Sequence, residues 1–177
     1  MYSKKSKLPI RYKKVRYSNE TTAINVQGTI AGNSNPVFPT IDDKKGVVLV
    51  QAATLQGTRK VKNMLLSISS IGNKVPILCA IVYVPQGTEA TTLQSSATNQ
   101  RAGASLYEPN QNVIMQFVLN PTNPDTMQGC NVQHFKTRLA RNLDSGDSVV
   151  LVCTPAYTMT TDQDVRISGT FNYAISY

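Results

Sequence analysis

The chain has 177 residues, 41% hydrophobic and only 16% charged, with eighteen basic residues against ten acidic and a formal charge of +8. A domain of about 150 residues hides roughly 70% of its unfolded surface, so this length predicts one substantial core and one domain. No run approaches about 18 consecutive apolar residues and the N-terminus carries no apolar leader core, so neither a membrane-spanning helix nor a secretory signal is expected.

The charge is unevenly placed. Lys4, Lys5, Lys7, Arg11, Lys13, Lys14 and Arg16 put seven cations into the first seventeen residues with no acid before Glu20, leaving eleven basic against ten acidic residues in the rest. Like charges in a block repel and keep the chain extended, and basic arms of this kind commonly bind nucleic acid. Tyr2, Tyr12 and Tyr17 are interleaved with the cations, offering rings on which unpaired bases stack beside groups that neutralise phosphate. The same composition also suits a solvated tail or a nuclear import signal. The expected division is an arm over residues 1–20 and a folded domain over 21–177.

In chain order, residues 21–30 alternate with period two, with Ile24 and Val26 on one side, and are predicted to be a strand. Two prolines and Asn33-Ser34-Asn35 make 31–40 a loop, 42–46 a turn, and 47–52 a short β-branched strand. Residues 59–70 form a strand with Met64, Leu66 and Ile68 on one face and Val61 out of phase. After a turn at Gly72-Asn73, residues 75–84 are almost continuously apolar, as expected of a strand covered on both sides. Residues 88–104 are polar and too long for a hairpin connection. Strands are predicted over 112–119, 134–140 and 149–153, with a loop around Pro121 and Pro124 and a tight turn at Ser145-Gly146-Asp147. In the last segment Val165, Ile167, Phe171, Tyr173, Ile175 and Tyr177 share a face, and Gly169, which interrupts that series, predicts a bend or bulge.

Eight strands, irregular loop lengths and no long helical pattern predict an all-β fold, a single eight-stranded jelly roll of two packed four-stranded antiparallel sheets carrying a disordered basic arm. An immunoglobulin-like sandwich and a closed barrel share this pattern.

Residues suited to catalysis are scarce. His134 is the only histidine, too few for an imidazole-bound metal, and no Gly-x-Ser-x-Gly elbow is present to make it a triad base. Nearly all the acids lie in predicted turns, where Asp bonds its own backbone. Asp162 and Asp164 lack a third oxygen ligand in register for calcium. Cys79, Cys130 and Cys153 are odd in number and irregularly spaced, which predicts free thiols in a reducing compartment. The expectation is a non-enzymatic protein with no cofactor and no metal. Arg59, Lys60 and Lys62 form a second, smaller cationic cluster at a strand start, suited to nucleic acid or to protecting a sheet edge.

Four segments resemble the capsid proteins of circular, Rep-encoding single-stranded DNA (circovirus-like) viruses. They are Leu55-Gln56-Gly57-Thr58-Arg59-Lys60-Val61-Lys62, Tyr83-Val84-Pro85-Gln86-Gly87-Thr88, Ser105-Leu106-Tyr107-Glu108-Pro109-Asn110-Gln111-Asn112-Val113-Ile114, and Arg138-Leu139-Ala140-Arg141-Asn142-Leu143-Asp144-Ser145-Gly146-Asp147-Ser148. The resemblance implies strands B to I in sheets BIDG and CHEF, sixty copies closing an icosahedral shell, and an arm directed at a single-stranded DNA genome. It further implies a subunit contact at Tyr107, Glu108, Pro109, Asn110 and Gln111, location in the virion, and assembly in the host nucleus. In one respect the chain departs from the family: its arm is short and mostly Lys, where circovirus-like arms are often longer and dominated by Arg.

Overall fold

The computed structural model describes residues 15–30, 46–54, 57–74, 76–87, 112–122, 132–155 and 163–176. Among these, every regular element is a strand: β1 (Ser18–Ile30), β2 (Val47–Val50), β3 (Arg59–Ile71), β4 (Ile77–Val84), β5 (Val113–Leu119), β6 (Gln133–Thr137), β7 (Arg141–Leu143), β8 (Ser148–Pro155) and β9 (Gln163–Ser176). All eight predicted strands are present, and β1 begins at Ser18 rather than at residue 21.

The strands form two antiparallel sheets, one ordered β1-β9-β3-β6 with β7 also on β3, the other β2-β8-β4-β5. Lettering β1 to β5 as B to F, the β6/β7 pair as G, β8 as H and β9 as I turns these orders into BIDG and CHEF. This is the jelly roll, and it separates the fold from the immunoglobulin-like and closed-barrel alternatives. The ninth strand arises because G is broken in two. Its ladder with β3 stops at Met64↔Thr137 and resumes at Val61↔Arg141, so two residues of β3 face three on the other side.

The break has a cause within β3. Opposite β9, the register jumps between Lys62↔Ala174 and Leu65↔Asn172, so that Asn63 and Met64 together face one residue, Tyr173. Such a two-against-one β-bulge turns the strand locally, and Asn63 takes it with φ 53°, a left-handed conformation that Asn tolerates better than most side chains. Val61 and Met64 are therefore both fully buried, which accounts for the phase change legible in the sequence. The bulge lies in β3, not at Gly169. Gly169 stays in regular register between Ile24 and Ile68; its missing side chain serves a close approach of β3, since a Cβ there would stand 2.9 Å from Ile68 Cα.

The core lies between the sheets. Val61, Met64, Leu66, Ile68, Val165, Ile167 and Phe171 from one sheet meet Leu49, Ile77, Ile81, Leu119, Val149 and Leu151 from the other, each large aliphatic contributing about 1.5–3 kcal/mol on burial. At one side the Phe117 and Phe135 rings stack across the sheets with centroids 4.2 Å apart. At the other, Thr22 Oγ1 donates to the Leu49 carbonyl at 2.7 Å.

The outer faces differ. On the β2-β8-β4-β5 sheet, Val82, Val84, Val150 and Val152 form a second buried cluster, so β4 is covered on both sides, as its continuous apolar run predicted. The outward positions of the β1-β9-β3-β6 sheet are mostly polar and basic. Replacing Gly169 by Val is expected to force β9 and β3 apart and lower unfolding stability by about 2–3 kcal/mol. Urea denaturation measures this; an unchanged midpoint would contradict the close approach.

Candidate nucleic-acid interface

Asp147, in the tight turn between β7 and β8, is buried, and its carboxylate gathers three donors. The Tyr83 hydroxyl gives the shortest bond, the Gln86 N–H donates at 3.0 Å, and the Asp144 N–H at 2.8 Å. The Asp147 carbonyl meanwhile accepts from Arg59 Nη2 at 3.1 Å, and Arg59 Nη1 donates to the Gln51 carbonyl at 3.0 Å. Thr58 Oγ1 donates to Asp144 Oδ1 at 2.8 Å, Gly146 N–H to the Ala53 carbonyl at 3.0 Å, and Tyr83 N–H to the Asn112 carbonyl at 2.7 Å. All four segments that carry the family resemblance contribute residues to this corner.

One predicted site residue is thereby reassigned. Arg59 is buried, 6% exposed, with its guanidinium bound to two backbone carbonyls, and does not share a surface with Lys60 and Lys62. Strand alternation turns Lys60 and Lys62 the opposite way from Arg59 and Val61. Burying the arginine thus fixes which way the neighbouring lysines point.

They point onto the outer face of the β1-β9-β3-β6 sheet. Lys62 Nζ stands 3.6 Å from the centre of the Tyr17 ring, a cation–π contact worth about 0.5–1 kcal/mol at an exposed site. The pair spans β9, since β1 and β3 flank that strand, with Lys60 opposite Ser176 and Lys62 opposite Ala174. This explains why Ala174 and Ser176, on an outer face, are only 6% and 5% exposed. Arg16 is exposed one residue before the ring. Lys136 lies opposite Leu65 on the same face, and Arg166 donates to Gln27 Oε1 at 3.1 Å toward the far end. Thr21–Asn172, Ser69–Ser168 and Ser67–His134 pairs fill in a flat polar layer. Among the described outward positions of this sheet, Asp164 is the acidic one, and it sits at the end away from Tyr17. A predominantly cationic face with flat polar groups and an edge-standing aromatic is suited to phosphates and bases.

Lys4, Lys5, Lys7, Arg11, Lys13 and Lys14 lie outside the described residues, as do Tyr107, Glu108, Pro109, Asn110 and Gln111, the 88–104 loop, Cys130 and Asp162. The structure therefore places Lys60 and Lys62 on one face with Tyr17, leaves Arg16 exposed one residue before that ring, moves Arg59 into the corner behind them, and adds Lys136 and Arg166, which sequence reading missed. Their signal was present: each is the outward residue of an alternating strand. Ser67 Oγ stands 2.9 Å from His134 Nδ1, a pair set by the Ser67↔His134 register on an open sheet face, and no third residue orients the ring among the described residues. No group of three or more His, Cys, Asp or Glu suited to a metal ion occurs among the described residues.

No protein-family model matches the chain, and no curated protein matches it in sequence. Among solved structures, a chain from desmodium yellow mottle tymovirus is similar, with 13% identity over all of this chain and 91% of that one, at a TM-score of 0.26. At that score the likeness carries no argument, and the fold assignment rests on strand order.

Two outcomes are expected of the corner. The hydrogen bond to Asp147, with burial and the nearby carboxylates adding to it, pushes the Tyr83 hydroxyl up to about 12 from 10. A folded value above the unfolded one means that this bond's stabilisation is complete below pH 10 and is lost as pH rises from about 10 to about 12. Tyr83→Phe should cost about 1.5 kcal/mol at neutral pH and flatten that alkaline decline, as read by urea midpoints across the range. Arg59→Ala, which strands two carbonyls, should cost about 3 kcal/mol in the same assay; a loss below about 0.5 kcal/mol, the size of an ordinary surface substitution, would contradict the buried role.

Proposed function

We propose that this chain is a viral coat protein whose copies close a small icosahedral shell around single-stranded nucleic acid, held by the N-terminal arm and the cationic face at its root. The observation that carries the reading is the union of two features. A jelly-roll strand order is joined, at β1, to a segment with seven cations and no acid, and the Tyr17 ring at the end of that segment meets a polar, basic sheet face. Neither feature calls for catalysis.

The finer reading is a coat protein of the circovirus-like group, with sixty copies enclosing circular single-stranded DNA. Its support is the four-segment resemblance in sequence. The coat of a small satellite RNA virus would use the same arm and face on RNA. A carbohydrate-binding jelly roll is less well supported, since the chain has no Trp and the described outer face is cationic and flat.

Charge limits what the arm alone does. Sixty arms bring roughly 420 positive charges, too few for a genome of about two thousand phosphates without counterions or further cations. Lys60, Lys62, Lys136 and Arg166 on the sheet face supply four more per copy, which makes the face part of the proposed packaging surface.

Electron microscopy of the purified protein tests the shell: closed particles of uniform size are expected, and a protein that stays monomeric at every salt and concentration contradicts it. Removing residues 1–17 should leave particles that form but carry less nucleic acid. Their absorbance ratio at 260 and 280 nm should fall, and an unchanged ratio would refute the arm's role.

A further inference from the structure

Cys79 and Cys153 face each other. They are direct partners in the antiparallel ladder of β4 and β8, the two central strands of their sheet. Opposite residues of such a pair have Cα atoms about 4.5–5.5 Å apart, inside the range of roughly 4.4–6.8 Å that a disulfide spans. The Cys79 thiol donates to Cys153 Sγ at 3.1 Å, so bond formation needs the sulfurs to close by about 1 Å, a side-chain adjustment. Both are free thiols, Cys79 buried and Cys153 partly open to solvent.

We propose that Cys79 and Cys153 are an oxidation site, a cross-strand dithiol that a peroxide converts to a disulfide when the protein leaves a reducing compartment. The difference in exposure orders the steps. Cys153, the accessible sulfur, attacks one oxygen of hydrogen peroxide as the thiolate; the O–O bond breaks, leaving a sulfenic acid on Cys153 and releasing hydroxide, which takes up the thiol proton as water. The Cys79 sulfur then attacks Cys153 Sγ, the S–S bond forms, the S–O bond breaks, and the departing hydroxide takes the Cys79 proton. In sum two thiols and one peroxide give one disulfide and two waters, the two electrons passing to peroxide. Burial, reinforced by the bond to Cys153, pushes the Cys79 thiol up from its ordinary value, in keeping with its role as the second, resolving sulfur.

The link would join the middle of one sheet across 74 residues of sequence. A cross-link over so long a loop restricts the unfolded chain strongly, and the melting temperature is expected to rise by about 5–10 °C. The proposal does not depend on the coat-protein reading, because it rests on the register of two strands.

The test uses the full-length chain with Cys130→Ser, reduced, freed of reductant, exposed to hydrogen peroxide, then denatured and alkylated with N-ethylmaleimide. The expected result is a protein lighter than the reduced form by two hydrogens before alkylation and carrying no maleimide, with a Cys79–Cys153 peptide in the non-reducing map. Adding Cys153→Ser should abolish the link, and reductant should restore both thiols. Should Cys79 and Cys153 both remain alkylatable, should Cys153 proceed to sulfinic acid with Cys79 free, or should the links found run only between chains, the proposal is overturned. The mapped wild-type chain decides the matter even where a cysteine variant fails to fold.

Discussion

The carboxylate of Asp147 is the constraint on which much of the architecture depends. A buried carboxylate must be compensated by donors, and those here come from β4, from the turn after it and from the turn between β7 and β8. The carbonyl of the same residue, with that of Gln51, holds Arg59 at the start of β3. One residue thus ties the end of a strand in one sheet to the beginning of a strand in the other. The two-sheet packing supplies the bulk of the stability through apolar burial, while this corner sets which residues of β3 face inward.

That setting reaches the surface. With Arg59 and Val61 inside, Lys60 and Lys62 are outside, and Lys62 meets Tyr17 across β9. The bulge at Asn63 then restores the inward phase with Met64, so the strand presents lysines before the bulge and small polar residues such as Ser67 and Ser69 after it. Tyr17, the residue before β1, is therefore held beside cations that the fold positions. The opposite sheet, whose outer face is apolar at Val82, Val84, Val150 and Val152, provides no comparable surface among the described residues.

Much of the fold was legible because strand periodicity is a local signal. The inward series of β9 as far as Ile175 (Tyr177 lies outside the described residues), the two-sided burial of β4 and the phase slip at Val61 were each visible in the residues and are each present. What escaped was non-local. The division of strand G between β6 and β7 follows from a bulge in its partner β3, which no reading of residues 134–140 alone reveals. Gly169 looked like a bend because a missing side chain has two common uses; only the neighbouring strand decides between a bulge and a close approach. Arg59 was grouped with Lys60 and Lys62 by adjacency in sequence, although in a strand adjacent residues point to opposite faces. Alternation marks Lys136 and Arg166 as outward residues of their own strands, but only strand pairing shows that they share a face with the lysines of β3.

The central claim is that the arm and the face at its root act as one surface for single-stranded nucleic acid. The most direct measurement is the salt dependence of binding to a single-stranded oligonucleotide, comparing the full chain with its Lys60→Gln/Lys62→Gln variant, the arm intact in both. Loss of two phosphate contacts should make the slope of log K against log salt shallower by about 1.4, with affinity falling similarly for unrelated sequences. An unchanged slope would show that the arm acts alone and that the sheet face takes no part.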